Sequence, residues 1–203
     1  MSDLSSHFNA LYRNQSPFGK KPLEIIEHIL EYKKNGVVLD LGAGDGRNSI
    51  FLAKNGFQVT SIDISNTAIE KLNDYSKEER LPLVTSVQDI AKFPFSSNYD
   101  VIIAVFVLHY FDVQTARTII KNMQHHTKQN GLNIVVTFTA EGDFYRQNPA
   151  TKNFYPEKGV LKTYYDDWTI LEYSEENRRA FQKSKDGKPM TNATSFLLAE
   201  NDK

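Results

Sequence analysis

The stretch GVVLDLGAGDGRNSIFLAKNGFQVTSIDIS, residues 36–65, constrains the fold more than any other part of the chain. Residues 37–41 are a short β-branched apolar run, Gly42, Ala43 and Gly44 allow a tight turn, and residues 47–54 carry Ile50, Phe51 and Ala53 at helical spacing. Asn55 and Gly56 stop that helix, and a second alternating run over residues 57–62 delivers Asp63 at its carboxyl end. Strand, glycine turn, helix and strand in this order are the layout of a nucleotide-binding βαβ unit.

Glycines let the backbone approach a ligand closely, and the N-terminus of the following helix offers free N–H groups and a positive dipole to an anionic group. An acid at the end of the second strand can accept hydrogen bonds from both hydroxyls of a ribose. Asp40 and Asp63 have the separation, roughly 20 residues, at which that acid is expected. The expected ligand is therefore an adenosine derivative, the alternative being a strand–helix turn with no ligand. The glycine pattern is Gly42-x-Gly44-x-Gly46, followed by Arg47 and Asn48, so the third glycine of a dinucleotide site is displaced.

The chain has 203 residues, 40% apolar and 12% aromatic, which fits a single soluble domain with a sizeable core. Its 24 basic and 25 acidic residues carry no general nucleic-acid or membrane signature. The absence of cysteine excludes disulfides, a thiolate nucleophile and thiolate metal sites, and fits a cytoplasmic setting. MSDLSSHFNALYRNQ has no apolar targeting region, and no run approaches the ~20 residues that span a bilayer.

Residues 1–21 are polar with interspersed Phe8, Leu11, Tyr12 and Phe18, and read as an irregular arm whose aromatics fold back over something apolar, a lid over a cofactor cleft being one candidate. After Pro22, Leu23, Ile26, Ile29 and Leu30 make a helical stripe that ends at Asn35-Gly36. Ser65 can cap a helix carrying Ala68, Ile69 and Leu72. Residues 83–87 read as a third strand, with Asp89 and Ile90 where it would meet the crevice. The run VIIAVFVLHYF, residues 101–111, reads as a central parallel strand covered on both faces. Asp112 then caps a helix with Val113, Ala116, Ile119, Ile120 and Met123 as its stripe, ending at Asn130-Gly131 before a fifth strand over residues 132–138. Residues 139–156 lack periodicity and are too long for a routine connection, as expected of a segment over an active site, and residues 159–165 form a short helix. Residues 168–173 and 195–199 read as strands with the turn signal Asp186-Gly187 between them; joined without a crossover helix, they should be antiparallel.

VLDLGAGDGRNSIFLAKNGFQVTSIDIS resembles the first motif and its sequel in class I S-adenosylmethionine-dependent methyltransferases, and GRNS followed by an aromatic, Leu and Ala is similar in particular to the tellurite-resistance, TehB-like group. The similarity extends to YDVIIAVFVLHYF, the strand after Gly131, residues 157–168 and the closing Phe196-Leu197-Leu198-Ala199. It implies an α/β fold: a Rossmann-like, doubly wound, seven-stranded and mostly parallel sheet with an antiparallel C-terminal hairpin strand and helices on both faces, a single methyltransferase domain over residues 1–203. S-adenosyl-L-methionine would be the cofactor, S-adenosyl-L-homocysteine the product and a small molecule the methyl acceptor. The resemblance places Asp40, Gly42, Ala43 and Gly44 around the methionine part and Arg47 and Asn48 beside its carboxylate or the substrate. Asp63 would hold the ribose with Ile64 on the adenine face, Asp89 and Ile90 would read the adenine amino group and ring, and Val105 would end the fourth strand at the pocket. Tellurite enzymes commonly carry a cysteine where this chain has Ala43, and a His-Arg pair where an ungapped reading gives Phe181 and Gln182. The motifs thus carry the class and leave the acceptor open. Residues 16–22, SPFGKKP, resemble the opening segment of thiopurine-type S-methyltransferases, which suggests a small, soft nucleophile.

Displacement at a sulfonium methyl needs proximity, alignment and exclusion of water more than an acid or base, so no catalytic triad is expected. His109 follows the central strand and is the one catalytic candidate, to orient a substrate or take a proton near neutral pH; a structural histidine is the alternative. Phe18 and Arg178 are the substrate candidates. Arg178, Arg179, Lys183, Lys185 and Lys188 make the terminal hairpin basic, either as solvated surface or to attract an oxyanion. His125 and His126 would point about 100° apart on a helix, so no metal site is expected. Three functions remain open: a small-molecule methyltransferase, a nicotinamide oxidoreductase, and a non-catalytic cofactor-binding module. The oligomeric state is unassigned.

Overall fold

Polar side chains help to hold the N-terminal segment of the chain in place. In the computed structural model, which describes residues 2–147, 149, 151–183 and 186–203, the expected irregular arm opens as a helix, α1 (Ser2–Tyr12). Its Ser5 hydroxyl donates to the Ile64 carbonyl at 3.1 Å, and Asn9 Oδ1 accepts from Ser65 Oγ at 2.9 Å and Thr67 N at 3.1 Å. These tertiary bonds stabilise a helix that propensity alone leaves marginal.

Residues up to Ile103, with His126–Lys128, form one compact unit. The expected helix after Pro22 is two single turns, α2 (Glu24–Glu27) and α3 (Ile29–Tyr32), divided at His28. Then come β1 (Gly36–Leu41), α4 (Arg47–Lys54), β2 (Phe57–Asp63), α5 (Asn66–Glu78) and β3 (Leu83–Val87), close to the expected bounds. β2 pairs in parallel with β1 on one side and β3 on the other, which sets Asp40 beside Ser61 and Asp63 beside Val87. Leu39, Leu41, Ile62, Leu52 and Leu72 are fully buried, each worth about 2 kcal/mol relative to exposure. Ser65 caps α5, its Oγ accepting from Ala68 N at 3.2 Å while donating to Asn9. Ser65→Ala removes the cap and an anchor of α1 together, and should cost about 1–2 kcal/mol in a urea unfolding experiment.

The apolar run from residue 101 is only partly strand. β4 (Tyr99–Val105) ends where Phe106 turns into the left-handed region, φ 53°, and a 3-10 turn covers Leu108–Tyr110. Strand and turn are equally apolar here, so composition hides the boundary.

The second unit comprises Ala104–His125 and Gln129–Lys203. α6 (Val113–His125) buries Ala116, Ile119, Ile120 and Met123 of the expected stripe, but Val113, at its first turn, is exposed, and the helix ends before Asn130-Gly131. β5 (Thr127–Phe138) therefore starts earlier than expected, passing through Asn130 at φ 57°. The aperiodic stretch contains a short helix, α7 (Asp143–Gln147), ahead of α8 (Val160–Thr163). β6 (Thr169–Lys183) and β7 (Pro189–Glu200) are longer than their apolar centres, and the turn between them holds Gly187 at φ 79°. β7 is antiparallel to both β5 and β6, as two strands without a crossover must be.

The seven strands lie in the order β3-β2-β1-β4-β5-β7-β6, the Rossmann-like, mostly parallel sheet with reversed C-terminal strands that the sequence leads one to expect. Among the described residues, no helix is long and apolar enough to cross a membrane.

Candidate functional site

The glycine turn and the end of β2 are joined through one carboxylate. Gly42 N and Ala43 N both donate to the Ile62 carbonyl, at 2.9 and 3.0 Å, and Gly44 N donates to Asp63 Oδ2 at 2.9 Å. The other carboxylate oxygen accepts from Ser65 N at 2.8 Å. Asp63 is 9% exposed, and burial pushes its carboxyl above the usual range against the opposing pull of these N–H donors. Its carbonyl accepts from Gln88 N at 2.9 Å, which positions Asp89 and Ile90. Asp89 Oδ1 caps the following 3-10 turn through Ala91 N at 3.0 Å, Ile90 is buried, and Ile64 is half-buried. The structure thus gathers Gly42, Ala43, Gly44, Asp63, Ile64, Asp89 and Ile90 at the carboxyl ends of β1, β2 and β3.

Asp40 has a different environment. It is fully buried and accepts from Ser49 Oγ, which in turn accepts from Ser61 Oγ at 2.8 Å. Burial raises its pKa from 3.8 to about 7; the Ser49 bond and Arg47 oppose the shift, and Asp63 adds to it. Because the folded protein binds the proton more tightly than the unfolded chain, this group favours folding below pH ~4 and loses that contribution as pH rises to about 7. Asp40→Asn should therefore flatten the decline in melting temperature between pH 4 and 7, as read by circular dichroism.

Of the GRN run, Asn48 is buried and its Oδ1 accepts from Leu23 N at 3.3 Å, fastening α4 to the segment before α2. Arg47 is half-buried, and its Nη1 donates to the Phe18 carbonyl at 2.9 Å. Desolvation lowers its pKa.

Tyr12 is one of the arm aromatics expected to fold back over something apolar. It is 4% exposed, and a Cβ built on Gly44 would lie 2.2 Å from its Oη. Its ring meets Phe8 at 6.3 Å and Phe18 at 6.1 Å, and its carbonyl accepts from Lys71 Nζ. The phenol therefore rests on the glycine turn itself. Phe8 and Tyr12, four residues apart, were the available signal for this helix.

The remaining candidates belong to the second unit or to the end of β4. Val105 closes β4 and is buried. His109 is 5% exposed, and burial pushes its pKa down to about 3, which favours the neutral imidazole. Arg178 lies in β6 opposite Asn192, but its side chain, with those of Phe181, Gln182 and Lys183 and the whole of Lys185, falls outside the described residues. His125 ends α6 while His126 lies beyond it, Nδ1 3.0 Å from the Ser97 carbonyl.

Residues 10–194 match the family model described as tellurite resistance protein TehB. The chain is 35% identical over 162 residues to a probable S-adenosyl-L-methionine-dependent methyltransferase TehB of Haemophilus influenzae, covering 80% of this chain and 56% of that protein. It thus spans about half the length of the curated relatives it matches. The crystal structure of TehB from Haemophilus influenzae superposes with a TM-score of 0.78 at 28% identity, covering 97% of this chain and 66% of that one. The N-methyltransferase NodS from Bradyrhizobium japonicum, in complex with S-adenosyl-L-homocysteine, shares the fold at 18% identity, with a TM-score of 0.74 and 98% of each chain covered.

Proposed function

Since the chain belongs to the tellurite resistance protein TehB family, we propose that it binds S-adenosyl-L-methionine and transfers a methyl group to a small-molecule nucleophile. The observation that carries this reading is the Asp63 carboxylate, buried at the end of β2 and bonded to the glycine turn through Gly44 N. Its oxygens accept backbone N–H groups of Gly44 and Ser65, and a carboxylate's remaining acceptor capacity suits a ribose hydroxyl. When bound, the cofactor supplies an activated sulfonium methyl. The chain's own residues then bind and orient: Gly42, Ala43 and Gly44 beside the methionine part, the Arg47 guanidinium toward its carboxylate, Asp89 toward the adenine amino group, and Ile64 and Ile90 against the ring. No proton transfer has to accompany the displacement, in keeping with a neutral His109.

The antiparallel pairing of β6 with β7 supports this function over a nicotinamide oxidoreductase, which would continue with another crossover. The absence of cysteine supports a cytoplasmic setting. For the acceptor, an oxyanion such as tellurite or selenite would draw on the basic hairpin, whereas a thiol would not. Calorimetric titration with S-adenosylmethionine and S-adenosylhomocysteine tests the cofactor, and mass spectrometry of mixtures with tellurite, selenite or a thiol tests the transfer. Micromolar binding with turnover is expected. Binding with no S-adenosylhomocysteine product for any acceptor would leave a cofactor-binding module, and no binding by the folded chain would refute the proposal.

A further inference from the structure

The strand order ends at β3, which among the described residues pairs only with β2. Its five residues, Leu83-Val84-Thr85-Ser86-Val87, carry no charge, and Val84 is 66% and Val87 45% exposed. The free N–H and C=O groups of an edge strand are a template for another strand, and charged side chains are a common means of blunting them. β6, at the opposite end of the strand order, carries Glu172, Glu175, Glu176 and Arg179. β3 carries no such guard, and an apolar, uncharged edge is one that an added strand can cover.

Hydrogen bonds at its two ends show which backbone groups of β3 face outward. The Pro82 carbonyl accepts from Val59 N at 3.0 Å and Gln88 N donates to the Asp63 carbonyl at 2.9 Å, so positions 82 and 88 face β2. The two backbone groups of a strand residue point to one side, and the side alternates along the chain. Val84 and Ser86 therefore also face β2, while Leu83, Thr85 and Val87 face away from it. Leu83 N is taken by the Leu81 carbonyl at 2.8 Å, and the Leu83 carbonyl accepts from Ser76 Oγ at 3.5 Å with a second lone pair left over. Thr85, at the centre, presents both a donor and an acceptor, with Leu83 and Val87 at equal distances on either side.

We propose that β3 is a homodimer interface, on which a second copy of this chain pairs its own β3 antiparallel about a two-fold axis at Thr85. A two-fold contact needs a surface complementary to itself. Thr85 N of each copy donates to the Thr85 carbonyl of the other, and Val87 N to the Leu83 carbonyl, so the bonds come from the groups that face away from β2. Leu83 of one copy stands opposite Val87 of the other on one face of the joined sheet, and Val84 opposite Ser86 on the other face, which covers both exposed valines. The strand ends are complementary in charge. Arg80 is exposed, and this register brings it within one position of Asp89 of the second copy, whose carboxylate has acceptor sites beyond the one that caps Ala91 N and so stays compatible with the adenine contact proposed above. The surface does not depend on the methyltransferase reading. Five paired residues are few beside a standard interface, so the expected affinity is micromolar.

Single cysteines test the register, since the chain has none of its own. In the whole chain, Thr85→Cys meets its copy across the axis at the ~5.5 Å Cα separation of a hydrogen-bonded antiparallel pair, within disulfide reach, and should oxidise to a covalent dimer. Val84→Cys, its more exposed neighbour, lies about 8 Å from its copy, one strand spacing across and two residues along, and should cross-link at least tenfold more slowly. Sedimentation velocity of the unsubstituted chain should show a reversible equilibrium that stops at the dimer. Val84→Lys and Arg80→Glu, each entering the dimer twice, should weaken it about tenfold, while Val113→Lys, at an exposed valine of α6, should leave it unchanged. Circular dichroism melts establish that each variant is folded; should Val84→Lys fail to fold, Val87→Lys takes its place with the same expectation. A wild type that stays monomeric up to millimolar concentration overturns the proposal. So do open-ended oligomers, a dimer unaltered by the folded edge variants, or a Val84→Cys that cross-links as fast as Thr85→Cys.

Discussion

Asp63→Ala should lower the affinity for S-adenosylmethionine by about 100-fold or more while changing the stability of the fold much less. The carboxylate accepts Gly44 N and Ser65 N, and bonds of this charge-assisted type are worth about 1.5–3 kcal/mol each, so its removal frees the glycine turn as well as the ribose hydroxyls. Stability suffers less because the buried carboxyl carries a desolvation cost, visible in its raised pKa, that the alanine does not. Asp63→Asn sharpens the comparison: it keeps the volume and one acceptor, and should retain the fold but lose most of the affinity. Calorimetry against a urea unfolding curve separates the two quantities. An affinity unchanged in Asp63→Ala would remove Asp63 from the ribose site.

Gly44→Ala should cost about 3 kcal/mol of stability and abolish cofactor binding. Gly44 adopts φ 57°, a conformation that costs an alanine about 1–2 kcal/mol, and its new Cβ would meet the Tyr12 hydroxyl oxygen at 2.2 Å. Gly19 and Gly187 are the controls, with φ of 75° and 79° and nothing within 4 Å of a built Cβ. Their alanine variants should show the conformational cost alone. Combining Gly44→Ala with Tyr12→Phe should recover part of the loss, because the overlapping atom is the phenol oxygen. A double variant no more stable than Gly44→Ala alone would mean that the loss arises from the backbone and not from the contact.

How much of this was legible in the sequence depended on whether one element spoke for itself. β1, α4 and β2 fall close to their expected bounds because glycines, Asn55 and apolar spacing mark them, and β3 because Pro82 precedes it. The Ser65 cap was legible for the same reason, since a serine ahead of Ala68, Ile69 and Leu72 reports on its own helix. α1 was not, because its support comes from Ile64, Ser65 and Thr67, more than fifty positions along the chain. The turn at Phe106 was hidden inside an unbroken apolar run. The cluster of rings at His109 was hidden differently: Tyr110, Phe138, Phe144 and Tyr155 come from separate segments, and nothing in their spacing says that they meet. Asp63 could be located but not its bond to Gly44 N, which depends on how the turn folds back onto β2.

The place of β7 between β5 and β6 governs how this protein is made. A ribosome delivers β5 and β6 first, yet in the finished sheet, among the described residues, β6 pairs only with β7, so its backbone waits unpaired until the last strand has emerged. An unpaired strand of this length is a template for pairing with other nascent chains. Arg179 and Lys188, both exposed, put charge beside that edge, which disfavours such pairing before β7 closes the sheet.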